Sequence, residues 1–127
     1  MEQLGQLRYV AAGGAAGALL RWGILEVAPS TSTSTALIVI NVVGSFLLGT
    51  LIGMHQTTAS RNRVTDNQYL LLGTGFAGSF TTFSSYAVDL AQAIDSGAIG
   101  DALRVSLTTA LAALVAAGIG YRVGSRR

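Results

Sequence analysis

The stretch GTGFAGSFTTFSSY, residues 73–86, has three glycines in its first six residues and then five hydroxyl and three aromatic side chains in eight. It belongs to a run of 22 residues without a charge, residues 67–88, about the length that a helix needs to cross a bilayer. Because glycines weaken a helix, the run predicts a transmembrane helix that is broken between Gly75 and Thr82. Broken backbone at bilayer depth is tolerated only where it is buried in protein or lines a cavity. We therefore expect the functional site in this stretch.

Three further apolar segments accompany this one. Residues 36–54 and 105–121 carry no charge, and residues 4–25 carry only Arg8 and Arg21. The sequence therefore predicts an all-α membrane protein, a single domain of four transmembrane helices over residues 1–127. The predicted helices span approximately residues 4–25, 36–54, 67–94 and 101–121.

The composition excludes most other classes of function. Of the 127 residues, 50% are hydrophobic and only 11% are charged, whereas soluble domains have roughly 25% charged residues. The chain has no cysteine and one histidine, so thiol chemistry, disulfides and ordinary zinc sites are excluded. A net charge of +2 is too small for binding to nucleic acid. No nucleophile is paired with a base, and we expect no enzyme.

The first six residues of the quoted stretch match the G-x-G-x-x-G pattern of dinucleotide-binding folds, but no βαβ unit surrounds them. A P-loop is excluded too, because Ser79 and Phe80 occupy the positions of its lysine and hydroxyl residue. Carbonyls freed by a break can bind a cation, whereas hydroxyls and the positive edges of aromatic rings suit an anion. Alternatively, the hydroxyls bond to carbonyls one turn earlier and the rings pack as core. The density of polar groups favours ion binding.

Among the polar residues of the other apolar segments, Asn41 and Arg21 are candidates for the site. Asn41 lies in the apolar run 37–43, where an unpaired amide is costly, so it needs another helix, a file of water or a permeating ion as its partner. Arg21, near the end of its segment, either serves the site or extends to the lipid headgroups. Small residues at four-residue spacing predict close helix packing, some of it between subunits. They are Gly13 and Gly17, then Ser45, Gly49 and Gly53, then Ala112, Ala116, Gly120 and Gly124.

Three motifs carry a family resemblance. Gly-x-x-x-Arg-Trp occurs at residues 17–22, Asn-x-x-Gly-Ser-Phe-x-x-Gly at 41–49, and Gly-x-x-Gly followed by Thr-Thr-Phe-Ser at 75–84. In this order and spacing the motifs resemble those of the Fluc family of fluoride channels, and the match extends over all four predicted helices.

The resemblance implies an antiparallel, dual-topology dimer with two fluoride pores in a prokaryotic plasma (inner) membrane. It also implies a structural Na⁺ at the dimer centre, bound by the backbone carbonyls of Gly78 and Thr81. Arg21 and Asp89 match structural positions of the family. The residues that match its pore and anion-binding positions are Asn41, Phe83, Ser84, Ser85, Tyr86 and Thr109.

This chain departs from the family pattern in two places. Tyr86 replaces a second phenylalanine, and on helix 4 Thr109 is followed by Ala113 and Ala117 where the family has polar side chains. These departures keep open a non-conducting or partner subunit of a heterodimeric channel. A small multidrug-type transporter is less favoured, because no acid lies between Arg8 and Arg21 to exchange protons.

The arginines bear on orientation. Four crossings place both termini and the loop after helix 2 on one side of the membrane, with six arginines there and two, Arg21 and Arg104, on the other. This bias favours cytoplasmic termini if the orientation is fixed. We expect an antiparallel homodimer, with a heterodimer with a paralogue as the alternative. The six arginines are Arg8, Arg61, Arg63, Arg122, Arg126 and Arg127.

Overall fold

The chain folds almost entirely into helices. A computed structural model describes residues 2–29, 33–56 and 64–126, and no strand occurs among them. The prediction of an all-α protein is confirmed. In chain order the elements are α1 Glu2–Val27, α2 Thr33–Gln56, α3 Asp66–Gln68, a π helix Tyr69–Ala77, α4 Gly78–Phe80, α5 Ser84–Asp95 and α6 Ile99–Ser125.

Three of these helices, α1, α2 and α6, are long and apolar enough to cross a membrane. Many of their large aliphatic side chains are exposed on the outside of the chain, for example Leu19, Leu107 and Leu114. Such exposure is costly in water but not against lipid tails, which are as apolar as leucine. Each helix extends two to four residues beyond its predicted segment at both ends. The reason is that hydropathy marks only the apolar middle of a helix, whose polar ends lie outside the hydrocarbon.

The third predicted helix, residues 67–94, is divided in two. Its first half, α3 with the π helix and α4, runs without a gap to Phe80, and residues 81–83 separate it from α5. The break therefore lies at the late edge of the region predicted between Gly75 and Thr82. The three glycines stay helical: Gly73 and Gly75 lie in the wider π helix, and Gly78 begins α4. Thr81 ends the first half with a ψ of 152°, an extended conformation.

The N-terminal end of the broken helix is capped and packs against α2. Thr65 and Gln68 form a capping box, in which the Gln68 N–H donates to Thr65 Oγ1 and the Thr65 N–H donates to Gln68 Oε1 at 3.0 Å. One turn later the Tyr69 ring stacks on His55, in the last turn of α2, with ring centroids 4.6 Å apart. These contacts position the start of the broken helix beside the C-terminal end of α2.

α1 packs against the π helix with the two backbones in contact. A Cβ added at Gly13 would meet the carbonyl of Leu71, and one added at Gly17 would meet the carbonyl of Phe76. From the other side, a Cβ at Gly75 would meet the carbonyl of Val10. The small-residue spacing therefore serves helix packing within this chain, as the sequence predicted for Gly13 and Gly17.

α2 and α6 form the most extensive helix pair, and glycines again bring the two backbones into contact. A Cβ at Gly49 would meet the carbonyl of Ala117, and a Cβ at Gly120 would meet the carbonyl of Phe46. Between α5 and α6 the chain reverses at Gly97, whose φ of 78° lies in the left-handed region that favours glycine.

Replacing Gly120 by alanine should lower the thermal stability of the purified protein in detergent, because the new methyl group overlaps the α2 backbone. Overpacking of this kind costs about 1–3 kcal/mol. The matched control is Gly118→Ala on the same helix, where nothing lies within 4 Å of the new Cβ. Gly118→Ala should leave the unfolding temperature unchanged or raise it, since alanine is the better helix former. Equal unfolding temperatures for the two variants would contradict this account of the packing.

Candidate functional site

Asn41, the predicted pore amide, bonds to the broken backbone. Its Oδ1 accepts a hydrogen bond from the backbone N–H of Thr82 at 2.9 Å, and its Nδ2 donates to the carbonyl of Thr82 at 3.2 Å. Because Thr81 is extended, the following peptide is turned out of the helical orientation. One side-chain amide thus bonds both backbone polar groups of a buried residue in the break. Of the three kinds of partner expected for Asn41, the structure supplies a neighbouring segment of the protein.

Arg21 reaches the same break from α1. Its Nη1 donates to the carbonyl of Thr81 at 3.3 Å. The guanidinium therefore bonds within the protein, to the backbone of the break. Side chains from α1 and α2 thus bond to two consecutive carbonyls, those of Thr81 and Thr82.

Most hydroxyls around the break donate to backbone carbonyls. Thr81 Oγ1 donates to Ala77 at 3.0 Å, and Ser79 Oγ donates to Gly14 on α1 at 2.8 Å. On α6, Thr109 Oγ1 donates to Val105 at 2.7 Å. For Thr81 the alternative interpretation is correct, because its hydroxyl bonds one turn back along the chain. The hydroxyl of Thr109, outside that stretch, does the same on α6. Ser79 Oγ also lies 3.2 Å from the carbonyl of Phe76, and its shorter bond to Gly14 links the first half of the broken helix to α1.

Phe80 and Phe83 differ in environment. Phe80 is buried and stacks on Phe76 with ring centroids 5.7 Å apart, so it packs as core. Phe83, in the break, is 79% exposed. Beside it, Ser84 Oγ lies 3.1 Å from Thr82 Oγ1. The side chains of the other predicted residues on α5, Ser85, Tyr86 and Asp89, lie outside the described residues.

Asn41 and Thr109 line two neighbouring cavities. We call the first the break groove, a space of about 320 Å³ that runs along Thr81, Thr82 and Phe83 and is also lined by Asn41, Thr109 and Ala113. We call the second the α2–α5–α6 cavity, a space of about 180 Å³ whose polar lining residues are Asn41, Asp101, Ser106 and Thr109. The structure thus brings together three of the predicted pore residues, Asn41, Phe83 and Thr109, at one groove.

The predicted cation ligands lie where the first half of the broken helix ends. Gly78 is exposed, and its carbonyl accepts a long hydrogen bond from Thr81 Oγ1 at 3.5 Å. The carbonyl of Thr81 accepts from Arg21 and keeps a second lone pair. Among the described residues no three carboxylate, imidazole or thiol side chains form a metal site. A cation at this point would be bound by carbonyl oxygens, which suit a hard ion.

Sequence reasoning missed two residues of the site. It did not identify Thr82 as the partner of Asn41, because no pattern shows which backbone groups a break will turn outward. It also missed Ser106 in the α2–α5–α6 cavity. A signal for Ser106 was available, since it precedes Thr109 by three residues and therefore shares its helix face.

The model of the family described as CrcB-like protein, Camphor Resistance (CrcB), matches residues 8–121. The chain belongs to this family. A relative from Halobacterium salinarum, named "Fluoride-specific ion channel FluC 1", is 41% identical in a 116-residue alignment that covers 85% of this chain and 91% of the relative. "Fluoride-specific ion channel FluC 2" of Synechococcus sp. is 37% identical over 98% of this chain and 83% of its own length. The protein of the same name from Bacillus cereus is 36% identical over 91% and 93%.

The resemblance to the Fluc family is confirmed by these relatives. Together with the three apolar helices, membership of the CrcB-like family makes the chain a multi-pass membrane protein. All three relatives carry the name of an ion channel, which is not an enzyme class.

Replacing Asn41 by leucine should destabilise this CrcB-like chain, because leucine has a similar volume but bonds to neither backbone group of Thr82. Each buried polar group left unpaired costs about 1–3 kcal/mol. Ser45→Ala, one turn later on α2 and lining the same groove, is the matched control and should have little effect. Thermal unfolding of the purified proteins in detergent checks both. An Asn41→Leu protein as stable as the parent would show that the Thr82 bonds do not hold the break.

Proposed function

We propose that this chain is a subunit of a fluoride-selective channel through which fluoride leaves the cell passively. Its family and the names of its relatives, fluoride-specific ion channels, support the proposal. The structural observation that carries it is the break groove, where an amide, an aromatic ring and helix-break backbone face one space.

The groove has the chemistry that a small hydrated anion needs. Fluoride gives up water only where hydrogen-bond donors replace it, and pores select ions by the donors that line them. Asn41 uses one Nδ2 hydrogen on Thr82, and an amide nitrogen has a second. Phe83 is exposed and lines the groove, and the edge of an aromatic ring carries the positive side of its quadrupole, which suits an anion.

The proposed pore is completed by a second chain. Phe83 and the exposed side of the groove lie on the surface of a single chain. We propose that the broken helix, from α3 through α5, also crosses the membrane and brings the number of crossings to four. Its 22 uncharged residues support this. We further propose that two chains pair in antiparallel orientation. By the family resemblance, Tyr86 then supplies the second ring beside Ser84 and Ser85, and Asp89 a structural carboxylate.

A structural Na⁺ at the centre of this dimer is part of the proposal. A two-fold axis through the break doubles the carbonyls of Gly78 and Thr81, so that two oxygens from each of two chains make four. A set of neutral oxygens without a carboxylate suits a monovalent cation. The ion shares the Thr81 carbonyl with the guanidinium of Arg21, which also holds that carbonyl in place.

One observation favours a second candidate function, a partner subunit of a heterodimeric channel. Ala113 lines the break groove, at a position where the family has a polar side chain. A partner chain inserted the other way round would supply the missing polar group. The arginine bias toward cytoplasmic termini supports the same candidate, because an antiparallel dimer of a chain with fixed orientation needs a second polypeptide.

Liposomes that contain only this purified chain should release trapped fluoride, measured with a fluoride electrode, much faster than protein-free liposomes. Replacing Phe83 and Tyr86 together by alanine should reduce release to the protein-free rate, because the ring edges that take the place of water are lost. The control is Tyr121→Ala, which removes an exposed ring near the end of α6 and should leave release unchanged.

Release at the parental rate from the Phe83→Ala, Tyr86→Ala double variant would refute the pore assignment. If the parent chain alone releases no fluoride but does so once a paralogue is added, the result would refute the homodimer and support the heterodimer.

Reporter enzymes fused to the C-terminus and expressed in cells test the orientation. If the six-to-two arginine distribution fixes it, only the reporter that is active in the cytoplasm should give a signal. A dual-topology homodimer gives comparable signals from both sides. Moving one arginine to the other side, by Arg122→Ala and Ser96→Arg, changes the distribution from six-to-two to five-to-three and should shift the ratio toward the outside in either case.

A further inference from the structure

The α2–α5–α6 cavity lies beside the break groove and shares Asn41 and Thr109 with it. Apart from its four polar residues, its lining is aliphatic, from Leu37 and Ile38 on α2 to Leu90 on α5. A small polar ligand in this cavity therefore depends on very few donors. Which of the polar residues has a hydrogen to offer decides what the cavity can bind.

The hydroxyls on the α6 side of the cavity are not equivalent. Thr109 is buried, and its hydroxyl hydrogen is used on the carbonyl of Val105. Ser106, one turn earlier and half-buried, makes no hydrogen bond within the part of the chain that the structure describes. Its O–H is thus an available donor in a mostly aliphatic cavity, together with the second Nδ2 hydrogen of Asn41.

The remaining polar residue, Asp101, does not prevent an anion from binding. Its carboxylate is exposed, and Arg104 Nη1 lies 3.6 Å from Asp101 Oδ1. The opposite charge offsets the repulsion that an isolated carboxylate would exert on an anion entering the cavity.

We propose that Ser106 and Asn41 form an anion-binding position in the α2–α5–α6 cavity, one step before the break groove on the path of fluoride. This inference rests on the proposed channel function and adds a residue to it. Ser106 supplies a hydroxyl at one side of Asn41, in a chain that has Ala113 on the other side. The ligand is a small, strongly hydrogen-bonding anion, since the position has hydrogen-bond donors but no unpaired positive charge.

Fluoride release from liposomes tests the position. Ser106→Ala should slow release about tenfold, the effect expected when one hydrogen bond to a charged ligand is lost. Ser106→Thr, which keeps the hydroxyl, should retain most of the parental rate. Thr108→Val is the control on the same helix. The Thr108 hydroxyl is exposed, donates to the backbone carbonyl of Arg104 and does not line the cavity.

A second measurement does not depend on ion flow. Because the chain has no cysteine, Ser106→Cys carries a single thiol. In reconstituted protein this thiol should react with a small water-soluble thiol reagent, and fluoride should slow the reaction more than chloride does. Thr108→Cys should show no such protection.

The outcomes separate the two proposals. If the parent chain releases fluoride while Ser106→Ala releases it equally fast, or fluoride fails to protect Ser106→Cys, the Ser106 position is refuted and the channel stands. If the parent chain releases no fluoride, either alone or together with a paralogue, the channel proposal fails. Fluoride protection of Ser106→Cys would then still support the binding position.

Discussion

Backbone groups that leave a helix at the depth of a membrane must be bonded within the protein, and the architecture of this chain follows from that requirement. At the break, the N–H and carbonyl of Thr82 are bonded by Asn41, and the carbonyl of Thr81 is bonded by Arg21. Side chains of two apolar helices therefore fix the shape of a third. Because the same amide lines the break groove, the interaction that makes the break tolerable also positions a donor at the candidate pore.

An amide as short as that of Asn41 reaches the break only if the helices approach closely. Gly44, three residues later on α2, makes this approach possible, since a Cβ there would meet the Thr81 side chain. On the opposite side Gly17 lies against Phe76, and Ser79 bonds to the carbonyl of Gly14. In lipid no hydrophobic force draws helices together, so backbone contact and interhelical hydrogen bonds supply the association. The glycines of α1 and α2 are thus part of the site although none of them contacts an ion.

The sequence predicts the three long apolar helices and their close packing well, because apolar length and small-residue spacing are direct consequences of the bilayer. It predicts the break less well. Glycines in a helix lower its stability, yet Gly73 and Gly75 remain helical, Gly73 beside the Tyr69 ring and Gly75 against α1, and the chain opens only at Thr81. Tertiary contacts decide this, and no local propensity encodes them. The partner of Asn41 could not be predicted for the same reason, since every residue has the same backbone groups and the sequence does not show which of them leave the helix.

Counting hydroxyls also overstates how polar a pore lining is. A hydroxyl has one hydrogen, and in a membrane the nearest carbonyl usually takes it. Ser79, Thr81 and Thr109 are all used in this way, so they offer an anion lone pairs and no donor. A residue counts toward an anion path only if its hydrogen remains after the backbone has been satisfied. By that measure Thr109, which matches a pore position of the family, contributes less than its position suggests, whereas Asn41 retains a donor because an amide nitrogen has two hydrogens and the break uses one.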